Sequence, residues 1–442
     1  MKASRYNFFY NFSGDLEKLI AYNARTNSLA LIEKENFNKY KNFIDNSVPI
    51  DDEKLIEDLK KGQFLIEDDI DELDLLKYNM FNSRFDTRHL GMTIAPTMNC
   101  NFDCVYCYEK NERQSQSMSL EVQDRIVEFA RQQTKYVEGI DIAWYGGEPL
   151  LAFDVVKNIS GRIMEICKEK GVRYSSFIVT NGYGLNKEIS EEIKKMDMKF
   201  VQITLDGPED IHDRRRPLRG GQGTFHKILE NIAELIDVLP DISLRVNVDK
   251  ENADRVNEIL EELSKMDLGN KVHTYLGYVE PINGCYSVGK CLTTKEYSNI
   301  DFKFDNELKK VGFVENNIFK YPNLKTSFCG ADRVNSLVID PKGNIYKCWS
   351  DIGIDEYKVG NIMDNIPINT DKYMGYMLYD PTHDNECRDC SFLPLCMGGC
   401  PRRRMDGKID RCSGYKYVFK EYLEKAAIVR KKELLKDVVV EN

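Results

Sequence analysis

The sequence predicts an α/β chain whose middle is a parallel sheet curled into a partial (β/α)6 barrel. A small strand-and-helix unit precedes it and a cysteine-rich module follows it. Three observations carry this expectation. From His89 to about Pro281, six strand-like segments alternate with helical ones, and such alternation implies parallel strands joined by right-handed crossovers. The 13 cysteines are uneven: Cys100, Cys104 and Cys107 cluster early, and Cys387, Cys390, Cys396 and Cys400 cluster late. Finally, 42% hydrophobic and 30% charged residues make a globular composition, and 442 residues exceed one ordinary core.

The elements follow in order. Tyr6–Phe12, Lys18–Asn23 and Ser28–Glu33 read as short strands, with turn chemistry between Asn23 and Asn27. Asp51–Lys61 and Asp69–Phe81 read as helices whose acidic starts suit the helix dipole. Asp51 to Asp74 holds eleven acidic and three basic residues, either a solvated face or a partner-binding one. Barrel strands are expected at Leu90–Ala95, Ile140–Trp144, Ser176–Thr180, Phe200–Leu205, Ser243–Val248 and His273–Val279. Helices are expected between them at Leu120–Tyr136, Asp154–Lys170, Lys187–Met196, Thr224–Val238 and Asn252–Met266. Reactive groups then belong at the C-terminal ends of the strands. Cys285–Tyr321 reads as a bridging segment, Cys329–Cys412 as a thin-cored module of the kind metal usually holds, and Tyr415–Leu435 as a closing helix.

Charge and hydropathy exclude several classes. A net charge of −10 argues against nucleic acid as partner. No apolar run approaches the ~18 residues of a membrane span, and Met1–Tyr10 lacks a secretory pattern, so the expected location is cytoplasmic. Cysteines in such a chain are expected to be ligands or redox groups rather than disulfides. Cys167, mid-helix, reads as a buried small hydrophobe.

Cys100-x3-Cys104-x2-Cys107 closely follows the first barrel strand. Three neighbouring thiolates suit an iron–sulfur cluster, and a cubane so held keeps one iron open to a small molecule. Tyr106 adds an aromatic wall. A zinc site with a fourth ligand from elsewhere is the alternative. With Tyr106, the spacing resembles the signature of the radical S-adenosylmethionine (SAM) superfamily. That resemblance implies a [4Fe-4S] cluster on Cys100, Cys104 and Cys107 whose open iron is chelated by SAM. Gly146-Gly147-Glu148-Pro149 resembles the family's SAM-ammonium motif, where glycines allow close backbone approach and the carboxylate accepts hydrogen bonds. Thr180-Asn181-Gly182 resembles the ribose-contacting segment. Asp206-Gly207-Pro208 with His212, Asp213 and Arg216 resembles the stretch after strand four, and Arg216, rather than Arg214 or Arg215, is expected to pair with the SAM carboxylate.

Cys329-x13-Gly343-x4-Cys348, Cys387-x2-Cys390-x5-Cys396-x3-Cys400 and Cys412 together resemble the SPASM domain, which carries two auxiliary [4Fe-4S] clusters; paired zinc knuckles are the alternative. The resemblance implies an outer cluster on Cys387, Cys390, Cys396 and Cys412, and an inner one on Cys329, Cys348 and Cys400. The inner cluster's fourth position falls to Cys285 or Cys291, or stays open for a substrate thiol. Proteins of this kind include sulfatase maturases, in which an aspartate commonly follows the cysteine equivalent to Cys348, and maturases of ribosomally made peptides. Here Trp349 stands there, with Asp351 further on.

Three strands followed by helices at the N-terminus resemble a winged-helix peptide-recognition element, which would hold a leader by β-augmentation. The expected layout is therefore residues 1–88 for leader recognition, 89–282 for the radical SAM partial (β/α)6 TIM barrel, 283–325 as bridge, and 326–442 for the SPASM domain with its closing helix. The implied activity is thioether crosslinking of a precursor peptide, with a reducing flavodoxin or ferredoxin as electron donor. Formylglycine formation, carbon–carbon or carbon–oxygen crosslinking and epimerisation are the alternatives.

Overall fold

The computed structural model describes residues 1–112, 116–313, 321–364, 371–407 and 409–440. Residues 314–320 of the expected bridge, and 365–370, 408 and 441–442 of the expected C-terminal module, lie outside these. The chain parts into two compact units, Met1–Arg84 with Phe319–Phe328 and Asp380–Asn442, and Phe85–Ile318 with Cys329–Tyr379.

In the first unit β1 (Lys2–Ala3) precedes an antiparallel meander, β2 (Asn7–Asn11), β3 (Lys18–Asn23) and β4 (Ser28–Glu33). Helices α1 (Lys34–Asn46) and α2 (Glu53–Lys61), strand β5 (Leu65–Ile66) and helix α3 (Glu72–Arg84) follow, with β5 pairing to β1. The central strand is apolar on both faces because both are covered. Leu19 and Ala21 pack with Tyr40, Leu55 and Leu59, while Ile20 and Tyr22 pack with Leu393, Leu395, Phe419 and Leu423. Helix α1 was not anticipated from sequence: it is rich in asparagine, a weak helix former, and Tyr40 is its one fully buried side chain. Within the acidic stretch, Glu72 is buried, receiving Ser4 Oγ at 2.7 Å and Arg25 Nε at 2.8 Å.

The second unit is built on a sheet of nine described strands. Its parallel strands are β6 (His89–Ile94), β7 (Gly139–Trp144), β8 (Arg173–Thr180), β9 (Met198–Thr204), β10 (Asp241–Val248) and β11 (Val272–Tyr278). Between them run α4 (Leu120–Gln133), α5 (Phe153–Lys170), α6 (Lys187–Lys195), α7 (Glu209–Arg215), α8 (Phe225–Leu235) and α9 (Glu258–Lys265). This is the partial parallel α/β barrel expected from the alternation. One face of the strands packs under the helices, and on β10 it is wholly aliphatic, with Ile242, Leu244, Val246 and Val248. Cys167 of α5 is buried in the same core, which pushes its thiol up to about 11.

Three features depart from expectation. The helix expected from Asn252 starts only at Glu258, because the Asn252 amide is committed to loop backbone: it donates to the Asp206 and Asn247 carbonyls and accepts from Asp249 N–H. Such side-chain bonds compete with helix. The bridge contains a full helix, α10 (Thr294–Lys310), opened by a reciprocal cap between Thr293 and Glu296. The sheet also continues past the barrel: β12 (Ser336–Ile339) pairs in parallel with β6, and β13 (Asn344–Tyr346) and β14 (Gly360–Asn361) extend it antiparallel before α11 (Asp371–Met377). The turn between β12 and β13 is tied by Asp340, which accepts from Lys342 and Asn344 N–H, and Gly343 takes φ +80° there.

The chain returns to the first unit for α12 (Leu393–Cys396), α13 (Pro401–Asp406) and α14 (Tyr415–Val440). No described helix is long and apolar enough to cross a membrane.

Candidate active site

The strand faces opposite the aliphatic core line a cavity of about 440 Å³ at the C-terminal ends of the barrel strands. Cys100, Cys104, Tyr106, Cys107, Gly146, Gly147, Glu148, Thr180, Asn181 and Arg216 all border it. The cysteine loop is held in place by the segment after α7. Asp103 N–H donates to Pro217, Val105 N–H to Arg215 and Arg219 N–H to Asn101, at 2.8, 3.0 and 2.9 Å. The glycine pair docks on the same loop from the other side. Gly147 N–H donates to Thr97 and Glu148 N–H to Asn99, and a Cβ on Gly147 would stand 2.2 Å from Asn99 O. Gly146 takes φ +110°, open to glycine and costly to other residues.

Glu148 is 2% exposed. Thr180 Oγ1 and Leu150 N–H donate to its Oε1 at 2.6 and 3.0 Å, and Asn181 N–H donates to Oε2 at 2.7 Å. Burial nevertheless raises its carboxyl, outweighing these donors. A carboxylate has about four acceptor sites, so one remains for a ligand cation.

Beneath the cysteine loop lies a buried polar network. Tyr106 donates to Asp206 at 2.6 Å and accepts from Arg216 Nη1 and Asn247 Nδ2, both at 2.9 Å. Arg215 bridges Asp206 and Asp249 at 3.1 and 2.7 Å, and Tyr286 donates to Asp249. His212 accepts the Asp206 N–H at Nδ1, and its Nε2 meets Thr224 Oγ1, whose hydroxyl donates to Arg216 O. That arrangement suits the neutral ring, and burial, then the charges of Arg216 and Arg215, hold its pKa well below 6.5.

The three consecutive arginines thus separate by environment. Arg214 is exposed, Arg215 is spent on buried carboxylates, and Arg216 borders the cavity with a buried Nε that has no hydrogen-bond partner. An orphaned guanidinium N–H in the wall fits the carboxylate of SAM, and three thiols on one loop fit a cluster's need for soft ligands. No three His, Cys, Asp or Glu side chains converge on a single-ion site among the described residues; a cubane's thiolates each bind a separate iron.

The later cysteines divide between the units. Cys329 and Cys348 lie in the second, on either side of the β12–β13 hairpin. Lys347 stands beside Cys329 and donates to the Arg333 and Ser336 carbonyls; burial lowers its amine to about 8 against the pull of Asp332 and Cys329. Cys387, Cys390, Cys396, Cys400 and Cys412 lie in the first unit. There Met397, Gly398 and Gly399 all take positive φ, at 50°, 86° and 79°, coiling the chain tightly between Cys396 and Cys400. The coil brings Cys400 N–H to Arg411 O at 3.1 Å, next to Cys412. Arg411 donates to Cys387 Sγ and Lys416 to Cys412 Sγ. Cys285 donates to Tyr108 O, just beyond Cys107, and Cys291 donates to Ser287 O.

Several cavity residues escaped the sequence reading: Tyr145, Gln202, Arg245, Asn247 and Ser350. A signal existed for two of them. In Ser243-Leu244-Arg245-Val246-Asn247-Val248 strict alternation places Arg245 and Asn247 on the face away from the aliphatic core.

Residues 94–263 match the Radical SAM superfamily. The chain is 26% identical over 379 residues to a cysteine-type anaerobic sulfatase-maturating enzyme of Clostridium novyi, covering 78% of this chain and 98% of that one. Its fold is like that of native anSMEcpe with bound AdoMet, with TM-score 0.61 and 19% identity over 77% of this chain and 100% of that one. It is also like Streptococcus suis SuiB bound to precursor peptide SuiA, with TM-score 0.55 and 15% identity over 93% of this chain and 99% of that one. The radical SAM fold implies a [4Fe-4S] cluster and SAM. Residues 94–263 are a radical SAM domain, and the chain that carries it is an enzyme that uses SAM.

Proposed function

We propose that this enzyme modifies a ribosomally made precursor peptide and installs thioether crosslinks from its cysteines. The observation that carries the reading is the composition of one cavity. Cys100, Cys104, Cys107, Glu148 and Arg216 border it, and so do Trp349 and Ser350, the residues directly after Cys348. Chemistry at the first three cysteines and electron acceptance at an auxiliary cluster near Cys348 therefore address one substrate. A cluster and SAM bound there supply hydrogen-atom abstraction from carbon. The chain's own residues orient and shield: Arg216 takes the SAM carboxylate, Glu148 its ammonium, and Thr180 with Asn181 its ribose. Phe177 and Phe200, stacked with ring centroids 4.4 Å apart, make an apolar wall against water.

In this reading ten cysteines hold three [4Fe-4S] clusters: Cys100, Cys104 and Cys107; Cys387, Cys390, Cys396 and Cys412; and Cys329, Cys348 and Cys400. A flavodoxin or ferredoxin supplies electrons. Residues 1–88 dock the leader at an outer strand of the β2–β3–β4 sheet. The wider coverage of this chain by SuiB bound to its precursor, 93% against 77% for anSMEcpe, supports that role. Trp349 replaces the aspartate of sulfatase maturases, and Asp351 is buried, accepts the Tyr376 hydroxyl at 2.6 Å and does not border the cavity. Both favour crosslinking over formylglycine formation.

Anaerobically reconstituted protein, given SAM, a reductant and a short cysteine-rich peptide encoded beside its gene, should return the peptide lighter by two hydrogens per bond. The crosslinked cysteines should resist alkylation, and replacing Cys100, Cys104 and Cys107 by Ala should abolish the product. Loss of sulfur would mean formylglycine chemistry, unchanged mass epimerisation, and two lost hydrogens with alkylatable thiols a carbon–carbon or carbon–oxygen bond; each overturns the thioether reading.

A further inference from the structure

We propose that Arg245 binds a carboxylate of the peptide substrate, either an acidic side chain or a free C-terminus, on the barrel's inner wall. The inference rests on the peptide-modifying reading above. Arg245 lies on β10 and borders the cavity, as does its sequence neighbour but one, Asn247. The fold makes room for it deliberately: a Cβ on Gly277 of β11 would stand 2.2 Å from Arg245 Nε. With no side chain at Gly277, the guanidinium can lie across the β10–β11 pair. Its Nε donates to Asn247 Oδ1 at 2.7 Å, fixing the plane of the group.

What surrounds that plane is uncharged. Tyr275 is its cross-strand partner on β11, Tyr108 and Tyr145 border the same cavity, and these with Tyr297 are the groups that act on it most strongly. All four hydroxyls are already committed, Tyr275 to Gln202 at 2.7 Å, Tyr297 to Leu276 O at 2.7 Å, and Tyr108 and Tyr145 to each other. Glu109 and Glu280 border the same cavity, yet no carboxylate forms an ion pair with Arg245 among the described residues. Arg245 is half-buried, and a substrate that fills the cavity takes its unpaired charge out of water, which is costly unless that substrate brings a partner. The neighbouring arginines illustrate the contrast. Arg215 has its carboxylates in Asp206 and Asp249, and Arg216 is positioned for SAM. Arg245 alone of the three presents a charge to the cavity that neither the chain nor SAM's single carboxylate neutralises. A guanidinium takes a carboxylate in a bidentate fork, and an acidic group in the bound peptide supplies one.

The test uses reconstituted holoenzyme with SAM and blocked tripeptides, measured by calorimetry. Acetyl-Ala-Asp-Ala-amide should bind at least tenfold more tightly than acetyl-Ala-Asn-Ala-amide if a side chain is the anchor. Acetyl-Ala-Ala-Ala with a free carboxylate should outbind its amide if a C-terminus is. Arg245→Gln should erase the preference, Arg245→Lys should retain part of it, and Gly277→Ala should reduce it by displacing the guanidinium. Equal binding of acid and amide by the wild type overturns the proposal without recourse to any variant. A loss in Arg245→Gln that falls on SAM affinity instead of peptide affinity also overturns it, assigning the arginine to SAM. The two readings fail separately. Acid-selective binding by an enzyme that crosslinks no peptide would remove the maturase reading and leave the anion site, whereas crosslinking without acid selectivity would do the reverse.

Discussion

The cysteine loop of the barrel and the cysteine coil near the C-terminus solve one problem, presenting thiols in a defined arrangement, by different means. Cys100, Cys104 and Cys107 sit on a loop clamped by a deep hydrophobic core: the strand before it is buried, and its backbone is bonded to Arg215, Pro217 and Arg219 on a neighbouring segment. Cys396, Cys400 and Cys412 are instead set by local conformation, through three consecutive left-handed residues and a glycine pressed against Arg411. Buried packing makes a site tolerant of local change but sensitive to the docking of whole elements. A coil built on consecutive left-handed residues depends on individual φ angles, whatever core lies beneath it. The barrel site also has a second layer of buried polar support, from Tyr106 through Asp206 to Arg215.

The barrel site's dependence on docked elements is most exposed at Gly147. Gly147→Ala should push the glycine motif off Asn99 and displace the cysteine loop, lowering SAM cleavage about 10²-fold, as misplacement near 1 Å can. Production of 5′-deoxyadenosine without peptide reads this, and a loss under threefold would mean the two segments are not mechanically coupled. The counterpart is Gly399→Ala, whose Cβ would meet Arg411 O at 2.0 Å with φ +79°. It should cost the iron of one cluster and the crosslinking yield, with SAM cleavage persisting; iron analysis beside the 5′-deoxyadenosine assay separates the two, and full iron content would refute the dependence on that glycine.

Smaller effects sharpen the picture. Thr180→Val removes one of three donors to the buried Glu148 carboxylate and should lower stability by about 1.5 kcal/mol, measurable by denaturant titration. A value near zero would mean that a rearranged donor takes its place.

The smallest effect concerns pH. His212 has its pKa held below 6.5 in the folded chain, by burial first. Below about pH 6.5 the unfolded chain binds a proton that the folded one refuses, so this group's contribution to stability declines as pH falls. The slope is at most about 1.4 kcal/mol per pH unit. His212→Asn should flatten that slope between pH 6.5 and 5 in thermal unfolding, whereas parallel curves would mean that the ring accepts its proton in the folded state.

The 1–88 segment is a further point of contrast. Tyr6, Phe12, Ile20 and Tyr22 share one core with Leu393, Leu395, Phe419 and Leu423, so deleting the segment would open the core beneath the cysteine coil. Leader docking is better read from amide exchange. Binding of the precursor should slow exchange along β2 or β4, the outer strands of the meander. Unchanged exchange during active modification would remove the docking role.

Read as a string, the chain determined the order of its elements and the places of its short motifs. Strand alternation, capping residues and cysteine spacing are local, and a motif that follows a strand is carried to that strand's end whatever else the fold does. The register of β12 against β6 joins residues some 240 positions apart in sequence, Leu337 with Met92 for example, and no local pattern specifies it. Nor does composition separate Arg214, Arg215 and Arg216: one meets solvent, one meets two buried aspartates and one meets the cavity, because each points to a different neighbour brought there by other strands. Arg245 and Trp349 joined the cavity on the same terms. Which face a residue takes is set by its own periodicity, but what that face looks onto is decided only when distant elements pack against it.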